Sequence, residues 1–286
     1  MTDRAAEAGP PTAPVPRDLE GRAALVLGAG SIGPGWGIGK ALCQRYAAAG
    51  ATVVAADRSL EAAEETAREV AATGAEGSVT PAEVDVLDRE ALAELVGGTA
   101  KRLRRLDILH CNVGLGQAGP GAETSAEAFA RFAEANLTSV HVAAQAALPA
   151  MREAERGVIL ATSTIASIRW PGYPHLAYGA TKAGLNHLIR LISVEEAPHG
   201  IRANVIVAGL IDTPRIATTL AKAYAGAEDM EAARARRAGS VPLGRMGTAW
   251  DVAECALWLA SDRASYVTGA AIPVDGGLSA TVREGG

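Results

Sequence analysis

The sequence alternates short apolar runs with longer helix-patterned stretches, and this alternation restricts the folds open to the chain. The first apolar run, residues 22–28, ends in glycine, which is typical of a strand buried inside a parallel sheet. Further strands are predicted at 51–57, 78–85, 107–111, 158–163, 201–207 and 271–274. Helices are predicted at 37–49, 59–72, 88–105, 125–152, 176–196 and 249–260. Such alternation, without a break in composition, predicts an α/β fold: a single-domain, doubly wound parallel sheet with helices on both faces.

One domain is expected over residues 19–286, after a short tail. Residues 1–18 are rich in alanine, proline and charge and lack an apolar core, which predicts a disordered tail rather than a signal peptide. No stretch approaches the ~18 consecutive apolar residues of a membrane span. A soluble protein is therefore expected.

The charge and the cysteines argue against several kinds of partner. The formal net charge is -5 with no long run of one sign, whereas nucleic-acid binding needs a basic stripe. The cysteines, Cys43, Cys111 and Cys255, lie far apart, which disfavours a disulfide framework or a metal site. The sequence predicts a cytoplasmic protein with no metal and with neither membrane nor nucleic acid as partner.

A glycine-rich turn follows the first predicted strand, from Gly28 to Gly39. Glycines allow positive φ and let backbone N–H groups approach a pyrophosphate at a helix N-terminus. The turn opens a helix, as a dinucleotide-binding turn must, although an ordinary loop is the alternative. The residues assigned to the cofactor here are Gly28, Ser31, Gly37, Ile38 and Gly39.

Asp57 ends the second predicted strand, where the adenosine ribose of a dinucleotide would lie. A carboxylate there accepts hydrogen bonds from both ribose hydroxyls and repels a 2′-phosphate. Arg58 favours NADP instead, because a guanidinium binds such a phosphate. We favour NAD and keep NADP as the alternative.

Polar residues also end the third and fourth predicted strands. Asp85 is placed to accept from the adenine amino group, with Val86 packing on the ring, and Asn112 follows the fourth strand. Each of them alone is equally typical of a turn. All of them follow strands at the same edge of the predicted sheet, which favours a ligand site.

Tyr178 and Lys182 lie four positions apart and so share one face of a predicted helix. A free phenol, with a pKa of about 10, is a poor base near neutrality. A neighbouring ammonium lowers that pKa, so the pair predicts a usable proton donor or acceptor. The alternative is an ordinary surface pair.

These motifs resemble those of the short-chain dehydrogenase/reductase family, over residues 19–278. The family has a glycine turn, an Asp after the third strand, Asn-Asn-Ala-Gly after the fourth, a helix Asn, a Ser after the fifth strand and Tyr-x-x-x-Lys. Asp85, Asn112, Asn136, Tyr178 and Lys182 match in order, and Asp275-Gly276-Gly277 is similar to the family's C-terminal ending. The resemblance implies a Rossmann-like fold and a nicotinamide-dependent oxidoreductase.

The resemblance also implies roles for particular residues. Tyr178 would be the general acid/base, and Lys182 would lower its pKa and hold the nicotinamide ribose. Asn136 would hold a water that links Lys182 to solvent. Gly114, Ile211 and Thr213 are assigned to the cofactor, Thr213 through the nicotinamide amide.

The chain departs from the family pattern at several positions. The glycine turn has Leu27 in place of Thr and is lengthened by residues 32–36, so it is expected to cover the pyrophosphate differently. Ala208-Gly209 replaces Pro-Gly. Ser163-Thr164 replaces Ser-Ser, which assigns the catalytic hydroxyl to Thr164, with Ser163 as the fallback.

Substrate contacts are expected from 113–117, 165–175 and 211–237. Arg169 is either a reader of a substrate carboxylate or a solvated loop residue. The predicted substrate is a secondary alcohol or ketone, and the predicted assembly is a homotetramer or dimer. The alternatives are an NADP-dependent ketoacyl-thioester reductase and a non-catalytic protein that senses dinucleotides.

Overall fold

Seven parallel strands form the main sheet of the structure, a computed structural model that describes residues 9–116, 121–216 and 230–281. The strands are β1 Ala23–Leu27, β2 Thr52–Asp57, β3 Ser78–Glu83, β4 Ile108–Cys111, β5 Gly157–Thr164, β6 Ile201–Ala208, β7 Ile211–Asp212, β8 Gly247–Thr248 and β9 Ala271–Val274. The main sheet has the order β3-β2-β1-β4-β5-β6-β9, and β7 pairs with β8 beside it. The predicted parallel α/β sheet is confirmed.

Helices cover both faces of this sheet. Within the described ranges they are α1 Ile38–Ala48, α2 Leu60–Ala72, α3 Arg89–Leu103, α4 Ala126–Ala133, α5 Ser139–Glu153, α6 Leu176–Glu196, α7 Met230–Gly239 and α8 Ala249–Ala260. Along β1, Val26 packs into a core with α1, α2 and α8, while Leu25 and Leu27 pack into a second core with α3, α5 and α6. Since successive side chains point to opposite faces, a strand buried on both faces is apolar throughout.

Two of the differences from the sequence prediction concern the elements around the site. The third strand ends at Glu83, so Asp85 lies in the following turn rather than at the strand end. The single helix predicted over 125–152 consists of α4, a π-helical turn Glu134–Thr138 and α5. Helical periodicity does not reveal one extra residue in a turn, and such turns are frequent at functional sites.

The N-terminal tail was predicted to be disordered, and its residues 1–8 lie outside the described part of the chain. Further along, Val15 packs against the core that includes α1 and α8, and Arg17 forms a 2.9 Å ion pair with Glu76. In the described ranges, no helix combines the length and the apolar character that crossing a membrane requires.

Candidate active site

A cavity of about 520 Å³ lies at the carboxyl ends of the strands. Its size is typical of a small-molecule or cofactor site. Of the residues assigned from sequence, those lining it are Gly28, Ser31, Gly37, Ile38, Gly39, Asp57, Arg58, Asp85, Val86, Asn112, Gly114, Thr164, Tyr178, Lys182, Ile211 and Thr213. The structure therefore brings all the assigned residues except Asn136 to one cavity.

The glycine turn is shaped for close approach of the backbone. Gly28 has a φ of +79°, and a Cβ on Gly39 would lie 2.0 Å from the Gly28 carbonyl oxygen. Gly37 precedes α1 in extended conformation, and no side chain caps the helix. Uncapped N–H groups at a helix N-terminus suit an anion, so the turn fits the pyrophosphate of a dinucleotide.

The lengthened part of the turn is anchored by two tryptophans. Trp36, which is 8% exposed, packs on Trp250 of α8 with ring centroids 4.8 Å apart. Ser31 Oγ donates to the Gly33 carbonyl at 2.8 Å, and Ile32 is exposed and lines the cavity. The insertion is thus an ordered rim of the cavity, on the side where the pyrophosphate was expected.

Asp57 faces the glycine turn and Arg58 faces solvent. Asp57 Oδ2 accepts from the Gly30 N–H at 2.9 Å, and Oδ1 accepts from Ser59 N–H at 3.3 Å. Arg58 is exposed, although both residues line the cavity. The carboxylate is fixed at the end of β2, where the ribose of a dinucleotide was expected.

Two of the remaining polar assignments also fasten the loops. Asp85 Oδ1 accepts from Leu87 N–H at 3.0 Å, and Asn112 Nδ2 donates to the Gly28 carbonyl at 2.8 Å. Asn112 thereby joins the ends of β1 and β4. Both residues have a turn role in the structure and still line the cavity.

Asn136 is fully buried in the π-helical turn and lies behind the cavity wall. Its Oδ1 accepts from Leu115 N–H at 2.8 Å, and its Nδ2 donates to the Leu115 carbonyl at 2.7 Å and to Thr181 Oγ1 at 3.0 Å. Asn136 therefore ties the segment after β4 to α6, next to Lys182.

Lys182 is 1% exposed, and its Nζ donates to the Val113 and Thr162 carbonyls, each at 2.8 Å. Burial and, to a smaller extent, the charge of Arg215 lower the pKa of Lys182 to about 7. Burial raises the pKa of the Tyr178 hydroxyl, and Arg215 opposes that rise. The lowered phenol pKa expected from Lys182 is not seen, because burial outweighs the effect of neighbouring charge on the phenol.

Small residues and a histidine pack around Tyr178. A Cβ on Gly116 would lie 2.6 Å from Tyr178 Cδ2, so the ring needs glycine there. The His175 ring stacks on Tyr178 with centroids 4.7 Å apart. Burial lowers the pKa of His175 to about 4, with Arg215 contributing, so the imidazole is neutral near pH 7. Both residues fall in segments expected to contact the substrate, and their packing on Tyr178 was not foreseen from the sequence.

Two hydroxyls end β5 at the cavity. Ser163 is 3% exposed and donates to Ser167 Oγ at 3.2 Å. Thr164 is less buried, and its Oγ1 accepts from Ala166 N–H at 3.3 Å, which leaves its own hydrogen available. The geometry favours Thr164 as the donor to a substrate.

Arg169 has neither of the roles expected for it. Its guanidinium donates to the Leu278 carbonyl and, at 3.0 Å, to the Thr281 carbonyl. It therefore fastens the C-terminal segment and does not line the cavity. Three other arginines line it instead, Arg131, Arg215 and Arg237, and sequence analysis did not single them out.

The expected substrate segments are only partly described. Residue 117 and residues 217–229 lie outside the described ranges. Val113, Tyr173 and His175 line the cavity as expected, whereas Trp170 is 63% exposed and lies away from it.

Known proteins resemble this chain over most of its length. A family model described as Enoyl-(Acyl carrier protein) reductase matches residues 33–279. The 3beta-hydroxysteroid dehydrogenase 1 of Eggerthella lenta is 36% identical, over 92% of this chain and 95% of that protein. The 3-oxoacyl-(acyl-carrier-protein) reductase of Thermotoga maritima is 35% identical, over 91% and 98%. A crystal structure of a short-chain dehydrogenase/reductase from Burkholderia xenovorans has a TM-score of 0.88 and 39% identity, over 93% and 99%.

Proposed function

The chain belongs to the short-chain dehydrogenase/reductase family, and we propose that it transfers a hydride between NAD(H) and a secondary alcohol or ketone. The family uses NAD or NADP. One observation carries the proposal: the glycine turn, Asp57, Tyr178 and Lys182 line a single cavity. The glycine turn would hold the pyrophosphate, Asp57 the adenosine ribose, and Lys182 the nicotinamide ribose. Bound nicotinamide supplies or receives the hydride.

Tyr178 and Thr164 act on the substrate oxygen. In the oxidative direction the alcohol O–H proton would pass to Tyr178 in its phenolate form, while the C–H hydrogen would leave with its electron pair as the hydride that bound NAD accepts, and a C=O bond would form. In the reductive direction Tyr178 returns the proton, and Thr164 donates a hydrogen bond to the oxygen as negative charge develops on it. Lys182 holds positive charge beside Tyr178 in its protonated form.

The direct test is oxidation of secondary alcohols. Purified protein is incubated with NAD and a panel of linear, cyclic and steroid alcohols, and NADH absorbance is followed. We expect steady turnover of at least one class. Binding of NAD without turnover of any alcohol, or of the matching ketones with NADH, would favour a non-catalytic dinucleotide sensor.

A second candidate is an NADP-dependent ketoacyl-thioester reductase. The identity with the Thermotoga maritima reductase favours it, at 35% over 91% of the chain. Asp57 weighs against it, because a carboxylate at that place repels a 2′-phosphate. Reduction of a ketoacyl thioester with NADPH, faster than oxidation of any alcohol with NAD, would favour this candidate.

Cofactor choice depends on Asp57. We expect a higher kcat/KM for NAD than for NADP, and we expect Asp57→Ala to shift the ratio towards NADP by roughly tenfold or more, since like charges in contact cost several kcal/mol. Arg58→Ala is the matched control and leaves NAD preferred. A native preference for NADP that Arg58→Ala removes would show that Arg58 dominates.

We also propose a homo-oligomer. β9 is an edge strand of the sheet, and α6 exposes Leu191 and Val194, which are 47% and 70% exposed. Leu278 belongs to a core cluster with Ile165 and Leu210, so it packs inside the chain rather than on its surface. Light scattering at micromolar concentration is expected to give a dimer or tetramer, and a stable monomer would refute it.

A cytoplasmic location remains part of the proposal. Cys43, Cys111 and Cys255 are free thiols, two of them buried. Free thiols are typical of a reducing compartment.

A further inference from the structure

The cavity has an excess of positive charge. Among the described residues its lining includes five basic side chains, Arg58, Arg131, Lys182, Arg215 and Arg237, and two acidic ones, Asp57 and Asp85. Both acidic groups accept hydrogen bonds from loop amides at the ends of β2 and β3. Both acidic side chains and Arg58 thus belong to the expected adenosine site, whereas Lys182 and Arg215 lie by Tyr178.

Arg215 lies near the Tyr178 hydroxyl. Its Nη2 donates to the Gly114 carbonyl at 2.6 Å. A Cβ on Gly114 would lie 3.1 Å from Tyr178 Oη and 3.7 Å from Arg215 Nη1, so phenol and guanidinium converge on one glycine. The charge of Arg215 also contributes to lowering the pKa of Lys182 and of His175. A positive field of this kind stabilises a bound anion.

Arg237 supplies a second guanidinium. It is 9% exposed, lines the cavity, and its Nε has no hydrogen-bond partner within the described part of the chain. Arg234 of the same helix pairs with the Asp212 carboxylate, at 3.3 Å. A buried donor left unpaired costs free energy, and a ligand acceptor would remove that cost.

We infer that the substrate carries a carboxylate in addition to its reacting carbinol or carbonyl carbon, and that Arg215 and Arg237 bind this carboxylate. The inference rests on the proposed function and names its substrate class. Guanidinium groups match carboxylates in geometry as well as in charge. The other candidate for this contact in the sequence, Arg169, is bonded to the C-terminal segment.

The test compares hydroxy acids with their neutral amides. The probes are 3-hydroxybutanoate, 4-hydroxypentanoate and 3-hydroxycyclohexanecarboxylate, each paired with its primary amide, with NAD as cofactor. We expect the acid of the preferred pair to exceed its amide in kcat/KM by roughly ten- to a hundredfold, the effect of a hydrogen bond to a charged group.

Variants assign the effect to the two arginines. Arg215→Gln and Arg237→Gln are each expected to remove most of the preference for the acid, measured as the ratio of kcat/KM for the acid to kcat/KM for its amide, so that a general loss of activity cancels. Arg236→Gln, on the exposed face of the same helix α7, is the matched control and keeps the preference. Melting curves of all variants check that they fold.

A binding measurement makes the test independent of turnover. Calorimetry on the NAD-loaded protein compares pentanoate with pentanamide, and tighter binding of pentanoate that Arg215→Gln weakens supports the inference. Equal kcat/KM for neutral alcohols, amides and acids would overturn the carboxylate inference and leave the proposed function standing. Loss of NAD affinity in Arg215→Gln, with an unchanged acid-to-amide ratio, would assign Arg215 to the cofactor pyrophosphate and also overturn it. Absence of any turnover would overturn the proposed function alone, and the calorimetry would still decide the carboxylate site.

Discussion

Tyr178→Phe is expected to lower kcat by about two to four orders of magnitude, the usual contribution of general acid–base catalysis. The phenol hydroxyl is the group that exchanges a proton with the substrate oxygen, and phenylalanine has no proton to exchange. The ring itself is retained, so its packing against Gly116 and His175 stays in place. The affinity for NAD, measured by fluorescence titration, is expected to change little.

The neighbouring Tyr173 provides the sharpest comparison for this prediction. Tyr173 also lines the cavity and packs on His175, with ring centroids 5.6 Å apart. Tyr266→Phe, at a fully exposed position, is the matched control for the chemical change and leaves turnover unaltered. Turnover within tenfold of wild type in Tyr178→Phe, with loss in Tyr173→Phe, would move the proton transfer to Tyr173.

The structure also sets the order in which Tyr178 and Lys182 lose their protons as the pH rises. Burial raises the pKa of Tyr178 and lowers that of Lys182 to about 7, so in the cofactor-free protein the phenol is protonated when the amine begins to lose its proton. Arg215 contributes to the pKa of both groups, since its charge lowers that of Lys182 and opposes the rise in that of Tyr178.

The sequence predicted that the site residues lie together, because parallel strands end at one edge of a sheet. Asp57, Asn112, Thr164 and Tyr178 are far apart in the chain, yet each follows or ends a strand or lies on the helix after one. Periodicity gives the strands, and topology rules then place their ends together. No side-chain contact had to be known for this step.

Contacts that depend on the path of the backbone could not be predicted. Lys182 is held by the carbonyls of Val113 and Thr162, and every residue has a carbonyl, so the sequence carries no signal for that choice. The π-helical turn at Asn136 adds one residue without altering the apolar pattern. Long-range partners were equally hidden, as Arg169 illustrates by binding the C-terminal segment.

The arginines of the cavity show which sequence signal was available. Arg215 directly follows Thr213-Pro214, a segment already assigned to the nicotinamide, so its position alone placed it near the site. Arg237 gave no such signal, because α7 is rich in charged residues and only the fold distinguishes its inner face. Its burial, and not its sequence context, separates it from Arg236.

Thr164→Val is expected to lower kcat by about 10² to 10³-fold, the loss measured when one donor to a developing oxyanion is removed. Valine keeps the shape of threonine, so the change removes the hydroxyl and little else. Thr164→Ser restores the donor and is expected to retain activity, with a change in KM because the pocket loses a methyl group. Thr164→Val also loses the 3.3 Å hydrogen bond from Ala166 N–H, and thermal melting would show that loss separately from kcat.

Ser163→Ala distinguishes the two hydroxyls of β5. Ser163 donates to Ser167 Oγ at 3.2 Å and is 3% exposed, so its loss is expected to cost stability, about 1 kcal/mol, while kcat stays near wild type. This difference is expected because Ser163 has a structural role, whereas Thr164 donates to the substrate oxygen. A large fall in kcat for Ser163→Ala, with Thr164→Val active, would show that the catalytic hydroxyl lies one residue earlier. Tyr178→Phe combined with Thr164→Val is expected to be less severe than the product of the single effects, because both groups act on the same oxygen.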